Sequence, residues 1–311
     1  MNGTPACPVG SAKPNSLTSP SVASRLALGT AQFGLPYGVS NHDGQPSSQA
    51  CAAILRDARL AGINTLDTAI AYGSSESVLG ELGVQDLQVI TKLPAVPQAC
   101  PNVANWVSEQ ISQALARMGK QQLEGLLLHR PAQLNMPFGQ TLYNALQEQK
   151  EKGLVRKIGI SIYAPQELNA LPEGMHLDIV QSPQSIIDQR MITTGWAQRL
   201  KDQGVELHIR SIFLQGLLLM STAQRLPRFA RWQRLWQTWD RWIAQTGLSP
   251  LQACLLYALS LPWPDKIVIG VNSAAELAEI LQATEGKLPA APADLPCHDA
   301  ELLNPAIWPS A

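Results

Sequence analysis

Cysteine is sparse in this chain: Cys7, Cys51, Cys100, Cys254 and Cys297 are odd in number, widely scattered and without a CxxC pair. That excludes a disulfide framework and a zinc cluster, and it suits reduced thiols in the cytoplasm. Histidine is scarcer than a metallohydrolase needs, since five residues form neither HxH nor HExxH. No apolar run reaches the ~18–20 residues that span a bilayer. Charge of one sign is also missing. A formal net charge of −1 leaves no electrostatic footprint for nucleic acid or an anionic membrane. The N-terminus lacks the charged start and apolar centre of a signal peptide. Residues 1–24, rich in Ser, Pro and small side chains, read as a disordered leader. No glycine-rich phosphate motif is present.

What is there is an alternation. Short β-rich runs at 25–31, 63–68, 87–93, 123–129, 156–161, 178–182, 205–212 and 266–271 are separated by helix-length amphipathic stretches, among them 48–61, 103–119, 138–152, 194–203 and 274–282. Alternation of this kind predicts βα units on a parallel sheet, and eight such units predict a single-domain (β/α)8 TIM barrel over 25–285. The runs at 123–129 and 266–271 are nearly continuous in apolar residues, as strands buried on both faces are. Two segments break the pattern. An insertion after the seventh strand, 217–249, carries Trp232, Trp236, Trp239 and Trp242 at spacings that share one helical face. Such a stripe is either the buried face of an extra helix or, since it grows from a strand's C-terminal side, a wall of the barrel mouth. The tail 286–311, rich in Pro and Ala, predicts an irregular surface wrap.

Ionisable residues finish three successive apolar runs: Ile63 to Asp67, Leu87 to Lys92, and Leu123 to His129, with Tyr72 shortly after the first. In a parallel barrel the strand C-termini converge on one mouth. A phenol, an ammonium, a carboxylate and an imidazole gathered there form a proton-transfer set suited to a carbonyl or an alcohol. Singly, Asp67 reads as well as a strand-end cap and Lys92 as a surface cation; jointly they read as a functional cluster. Lys92 could also serve a barrel lyase as a Schiff-base lysine, a use the company of Tyr72, Asp67 and His129 disfavours. His176 and His208 read as structural histidines.

The segment Gly62-Ile63-Asn64-Thr65-Leu66-Asp67-Thr68-Ala69, followed by Tyr72-Gly73 and Ser75-Glu76, resembles the signature of the aldo/keto reductase family. Thr91-Lys92-Leu93, Leu127-Leu128-His129 and Gly153-Leu154-Val155-Arg156-Lys157-Ile158-Gly159-Ile160-Ser161 match further blocks of that family in order. The resemblance spans roughly 25–285. It implies an NAD(P)H-dependent reductase of an aldehyde, ketone or sugar carbonyl, without a Rossmann domain or a metal. Tyr72 would be the general acid/base, Lys92 would lower its pKa, Asp67 would orient Lys92, and His129 would orient the substrate. Ser161 and Gln181 match the residues that hold the nicotinamide carboxamide, with Ile162 where the family usually has Asn. Arg210-Ser211 stands where Tyr-Ser is frequent. Arg210 could stack on the nicotinamide, or bind substrate or a phosphate. Ser211 and Gly216 fall in the pyrophosphate loop. Asn272, Glu276 and Glu279 occupy a segment where many relatives carry a cation for the 2′-phosphate of NADPH, and none is found from Gly270 to Leu281. The expected cofactor is NADPH or NADH and the expected partner a small carbonyl compound. The alternative implied by the same resemblance is a redox-sensing binding protein with slow turnover.

Overall fold

The computed structural model describes residues 21–41 and 43–308, so most of the expected leader lies outside the described residues. Eight parallel strands close into one barrel in sequence order. They are β1 (Leu26–Gly29), β2 (Thr65–Asp67), β3 (Gln88–Leu93), β4 (Leu123–Leu128), β5 (Val155–Ser161), β6 (Ile179–Pro183), β7 (Glu206–Arg210) and β8 (Lys266–Gly270). Closure is made by β1 and β8, where Leu26 pairs with Ile267 and Gly29 with Gly270. The (β/α)8 expectation holds. Several strands are shorter than the apolar runs that predict them, by one or two residues at either end.

The outer layer follows from helical periodicity. The helix Ser48–Ala61 starts on a Ser47 side-chain cap and buries Cys51, Ile54, Leu55 and Ala58, a spacing of three, one and three along one face. The helices Val103–Met118 and Gly139–Glu151 bury equivalent stripes. At the strand starts, polar side chains pair with one another instead. Lys157 Nζ lies 2.9 Å from Glu124 and 2.6 Å from Glu206, and His208 Nε2 is 2.8 Å from Glu206. This network stands at the end of the barrel opposite the mouth, where a structural role is the expected one.

The Trp insertion resolves into a 3-10 turn, Pro227–Trp232, and a helix, Gln233–Thr246. Trp232 therefore sits at the helix N-cap, while Trp236, Trp239 and Trp242 are buried on its inner face. Their polar edges are satisfied locally: Trp236 Nε1 donates to the Phe229 carbonyl at 2.8 Å and Trp242 Nε1 to the Ala290 carbonyl at 3.0 Å. Trp232 Nε1 donates to Asp299 at 3.0 Å. The stripe is thus a core between the insertion and the C-terminal segment. That segment contains the helical turn Ala300–Leu303 and buries Leu295, Leu302 and Leu303.

Candidate active site

Asp67 ends β2, Lys92 lies next to last in β3, and His129 follows β4 directly. All three therefore reach the same mouth. Lys92 is 1 % exposed and Asp67 4 %; their Nζ and Oδ1 stand 2.5 Å apart. Lys92 also donates to the Thr68 carbonyl at 2.8 Å. An ion pair this deep persists only because each charge neutralises the other and the remaining polar sites are bonded. The second carboxylate oxygen of Asp67 accepts from Gln181 Nε2 at 2.6 Å, and Gln181 Oε1 accepts from Ser161 Oγ at 3.1 Å. Gln181 sits on β6, across the barrel from β2, so a Ser161–Gln181–Asp67–Lys92 chain crosses the interior. That bond occupies the amide nitrogen that the sequence resemblance assigns to the nicotinamide carboxamide.

Tyr72 is carried by a turn just past β2. Ser75 Oγ fastens this turn to the β1 loop, donating to the Thr30 carbonyl at 2.8 Å. Gly34 makes the approach possible, since a Cβ there would strike the Tyr72 carbonyl. The Tyr72 ring meets His129 edge-on with centroids 5.8 Å apart, and Lys92 Nζ lies 5.3 Å from the phenol centroid. All four residues named from the strand ends are thereby brought together.

Electrostatics differ from the sequence expectation in one respect. Burial, and then the Asp67 carboxylate, raise the Tyr72 phenol above its ordinary pKa, with Arg210 acting in the opposite direction. Lys92 does not dominate because Asp67 cancels its charge at 2.5 Å. Burial pulls the Lys92 ammonium itself below the ordinary lysine value, against the support of Asp67. His129 is pushed down to about 3 by burial and then by the cations Lys92 and Arg210, so it is a neutral imidazole at physiological pH.

A cavity of about 210 Å³ opens beside Tyr72. Arg210 and Ser211 line it at the end of β7, Gly270 at the end of β8, and Asn272 and Glu276 beyond β8. Arg210 stacks on Tyr163 at 4.6 Å and is anchored by the Ile162 carbonyl at 2.9 Å and Ser211 Oγ at 3.1 Å. Ser211, Leu214 and Gln215 all have positive φ, as does Gly216, whose missing Cβ leaves room for Ser40. Three non-glycine residues in that region mark a loop held in shape by its surroundings. Asn272 donates its backbone N–H to Glu276 at 2.7 Å, and its Oδ1 is buried without a hydrogen-bond partner among the described residues. Glu279 is exposed one turn along the helix and outside the cavity lining. The β1 loop residues Thr30, Gln32, Tyr37 and Asn41, which sequence reasoning missed, form the opposite wall. Their only signal is the small, glycine-flanked run Gly29 to Gly34 at a strand end.

Residues 25–294 match the aldo/keto reductase family model. Among curated proteins, the NADH-specific methylglyoxal reductase of Escherichia coli K12 is 26 % identical over 317 residues, covering 90 % of this chain and 96 % of that protein. Among solved structures, the holo form of an aldo-keto reductase from Bacillus halodurans superposes with a TM-score of 0.68 at 21 % identity, covering 86 % of this chain and 88 % of that one. The latter likeness bears on the fold.

Proposed function

The chain belongs to the aldo/keto reductase family and is an NAD(P)-dependent oxidoreductase, and from that premise we propose that it reduces a small aldehyde or ketone with Tyr72 as general acid. The carrying observation is the buried gathering of Tyr72, Lys92, Asp67 and His129 at three successive strand ends. A phenol held protonated by its burial donates to a carbonyl oxygen, and its loss of a proton in the reverse direction regenerates the carbonyl. The neutral His129, edge-on to that ring, is the hydrogen-bonding partner that orients the oxygen. Asp67, fixed by Gln181, holds Lys92 beneath the phenol.

A nicotinamide dinucleotide would enter at this cavity, beside Tyr72. The missing Cβ atoms of Gly270 and Gly216 make room for Gln32 and Ser40 of its wall, and the unpartnered Asn272 Oδ1 would accept from a ligand hydroxyl or amine. Ser211 and Gly216 would meet the pyrophosphate, and Asn272 with Glu276 the adenosine end. When bound, NADH or NADPH supplies the hydride. The E. coli relative supports a 2-oxoaldehyde such as methylglyoxal as the first substrate to assay and NADH as the first donor.

Tyr72→Phe keeps the ring and deletes one hydroxyl. It is expected to lower kcat for methylglyoxal reduction by ~10²–10⁴ while leaving the Kd for NADH within a few-fold. Parent-like turnover by the Phe variant would remove Tyr72 from the acid role.

A further inference from the structure

Arg210 is the one cation lining the cavity among the described residues. Its guanidinium is held in place from three sides, by the Tyr163 ring, the Ile162 carbonyl and the Ser211 hydroxyl. None of these partners is charged, and among the described residues no carboxylate lies in salt-bridge distance of it. The surrounding groups do not offset its charge. Lys92 and Asp67 cancel as a pair, and the hydroxyl of Tyr72 and the ring of His129 add no charge at neutral pH. Glu276, the one carboxylate of the cavity lining, stands beyond β8 and is engaged by the Asn272 backbone N–H. The catalytic end of the cavity therefore carries a net positive field whose source is Arg210.

If Tyr72 protonates the carbonyl, as proposed above, the hydride donor must stand within a few ångströms of the same carbonyl. The nicotinamide ring then shares with Arg210 the space beside Tyr72. That ring is uncharged in NADH and carries one positive charge in NAD⁺, and the two molecules differ in nothing else that a fixed charge can sense. We infer that Arg210 is a redox-biasing residue: its uncompensated charge disfavours the oxidised nicotinamide, so that the site holds NADH more tightly than NAD⁺. A neutral ring donor stacked at that place would exert no such bias.

The test is an equilibrium one and needs no turnover. Protein fluorescence is titrated with NADH and with NAD⁺ at fixed ionic strength, for the parent, Arg210→Gln and Arg210→Lys. The parent is expected to bind NADH at least tenfold more tightly than NAD⁺, and the Gln variant to reduce that ratio by about tenfold, which is ~1.4 kcal/mol. The Lys variant, which keeps the charge, should retain most of it. A structural role alone would weaken both ligands in parallel and leave the ratio unmoved, and that result overturns the inference. So does a parent ratio at or below one. Should the Gln variant fail to fold, Arg210→Met, which keeps the stem against Tyr163, carries the same comparison. Failure of all four dinucleotides, NADH, NAD⁺, NADPH and NADP⁺, to bind would refute the underlying reductase reading, whereas tight binding with an unchanged ratio refutes the bias alone.

Discussion

Asp67 has both carboxylate oxygens committed, one to Lys92 at 2.5 Å and one to Gln181 at 2.6 Å. Donors on both sides fix the orientation of its carboxylate, and in the proposed mechanism it would position Lys92. His129 illustrates the complementary case, a titratable group silenced by its neighbours. Its folded pKa, about 3, lies below the ~6.5 of an unfolded histidine. The unfolded chain thus binds a proton as pH falls through ~6.5, while the native chain does not until about 3. Stability contributed by the neutral imidazole is full above ~6.5 and declines between the two values. For activity the consequence is a kcat/KM profile without a histidine inflection between pH ~5 and ~7.5. An inflection near 6.5 that vanished in His129→Gln would show that the imidazole is charged in the working enzyme. Legibility at this scale follows strand ends. Asp67, Lys92 and His129 were readable because each terminates an apolar run, whereas the Gln181–Asp67 bond joins residues 114 positions apart and leaves no local pattern.

Elements were legible to the extent that their periodicity is local. The helix Ser48–Ala61 announces itself by a Ser47 cap and an apolar stripe, and β4 by a nearly continuous apolar run, interrupted at Glu124, that is otherwise buried. The Trp insertion was legible as a helix with one apolar face, but not in what covers that face. Its partners, Phe229, Ala290 and Asp299, come from a turn and a Pro-rich tail with no periodicity of their own. Since no indole of the insertion lines the cavity, the helix supports the fold and not the substrate pocket. Trp239 is 1 % exposed and packs on Trp242 with ring centroids 5.6 Å apart. Trp239→Ala should cost ~3–5 kcal/mol, the range for emptying an aromatic core site, read as a shift in the urea midpoint. Its KM for methylglyoxal and its Kd for NADH should match the parent. A change in either, without loss of stability, would return the helix to the barrel mouth.

Over the whole molecule the closed barrel sets which cations can meet a cofactor, and this bears on NADPH against NADH. With a formal net charge of −1 the chain offers no long-range attraction for the extra phosphate, so recognition must be local. Lys266, a cation the sequence places near the last strand, begins β8 and donates to the Ser24 carbonyl at 2.8 Å. That is the end of the barrel away from the mouth, and it removes Lys266 as a phosphate ligand. Arg210 is anchored by the Ile162 carbonyl and stacked on Tyr163, which commits its guanidinium. What remains beyond β8 is Glu276, whose carboxylate lines the cavity and would repel a 2′-phosphate. A charge-assisted phosphate contact contributes roughly ~1.5–3 kcal/mol, and two of them make the preference of several hundred-fold typical of a dedicated NADPH site. Without them NADH should bind at least as tightly as NADPH. Glu276→Gln removes the repulsion and should raise NADPH affinity by roughly tenfold, ~1.4 kcal/mol, with NADH nearly unaffected. Fluorescence titration of both cofactors at fixed ionic strength measures each quantity. An NADPH affinity a hundred-fold above that for NADH in the parent would mean that a cation reaches the phosphate from outside this lining, with exposed Lys287 the first to replace.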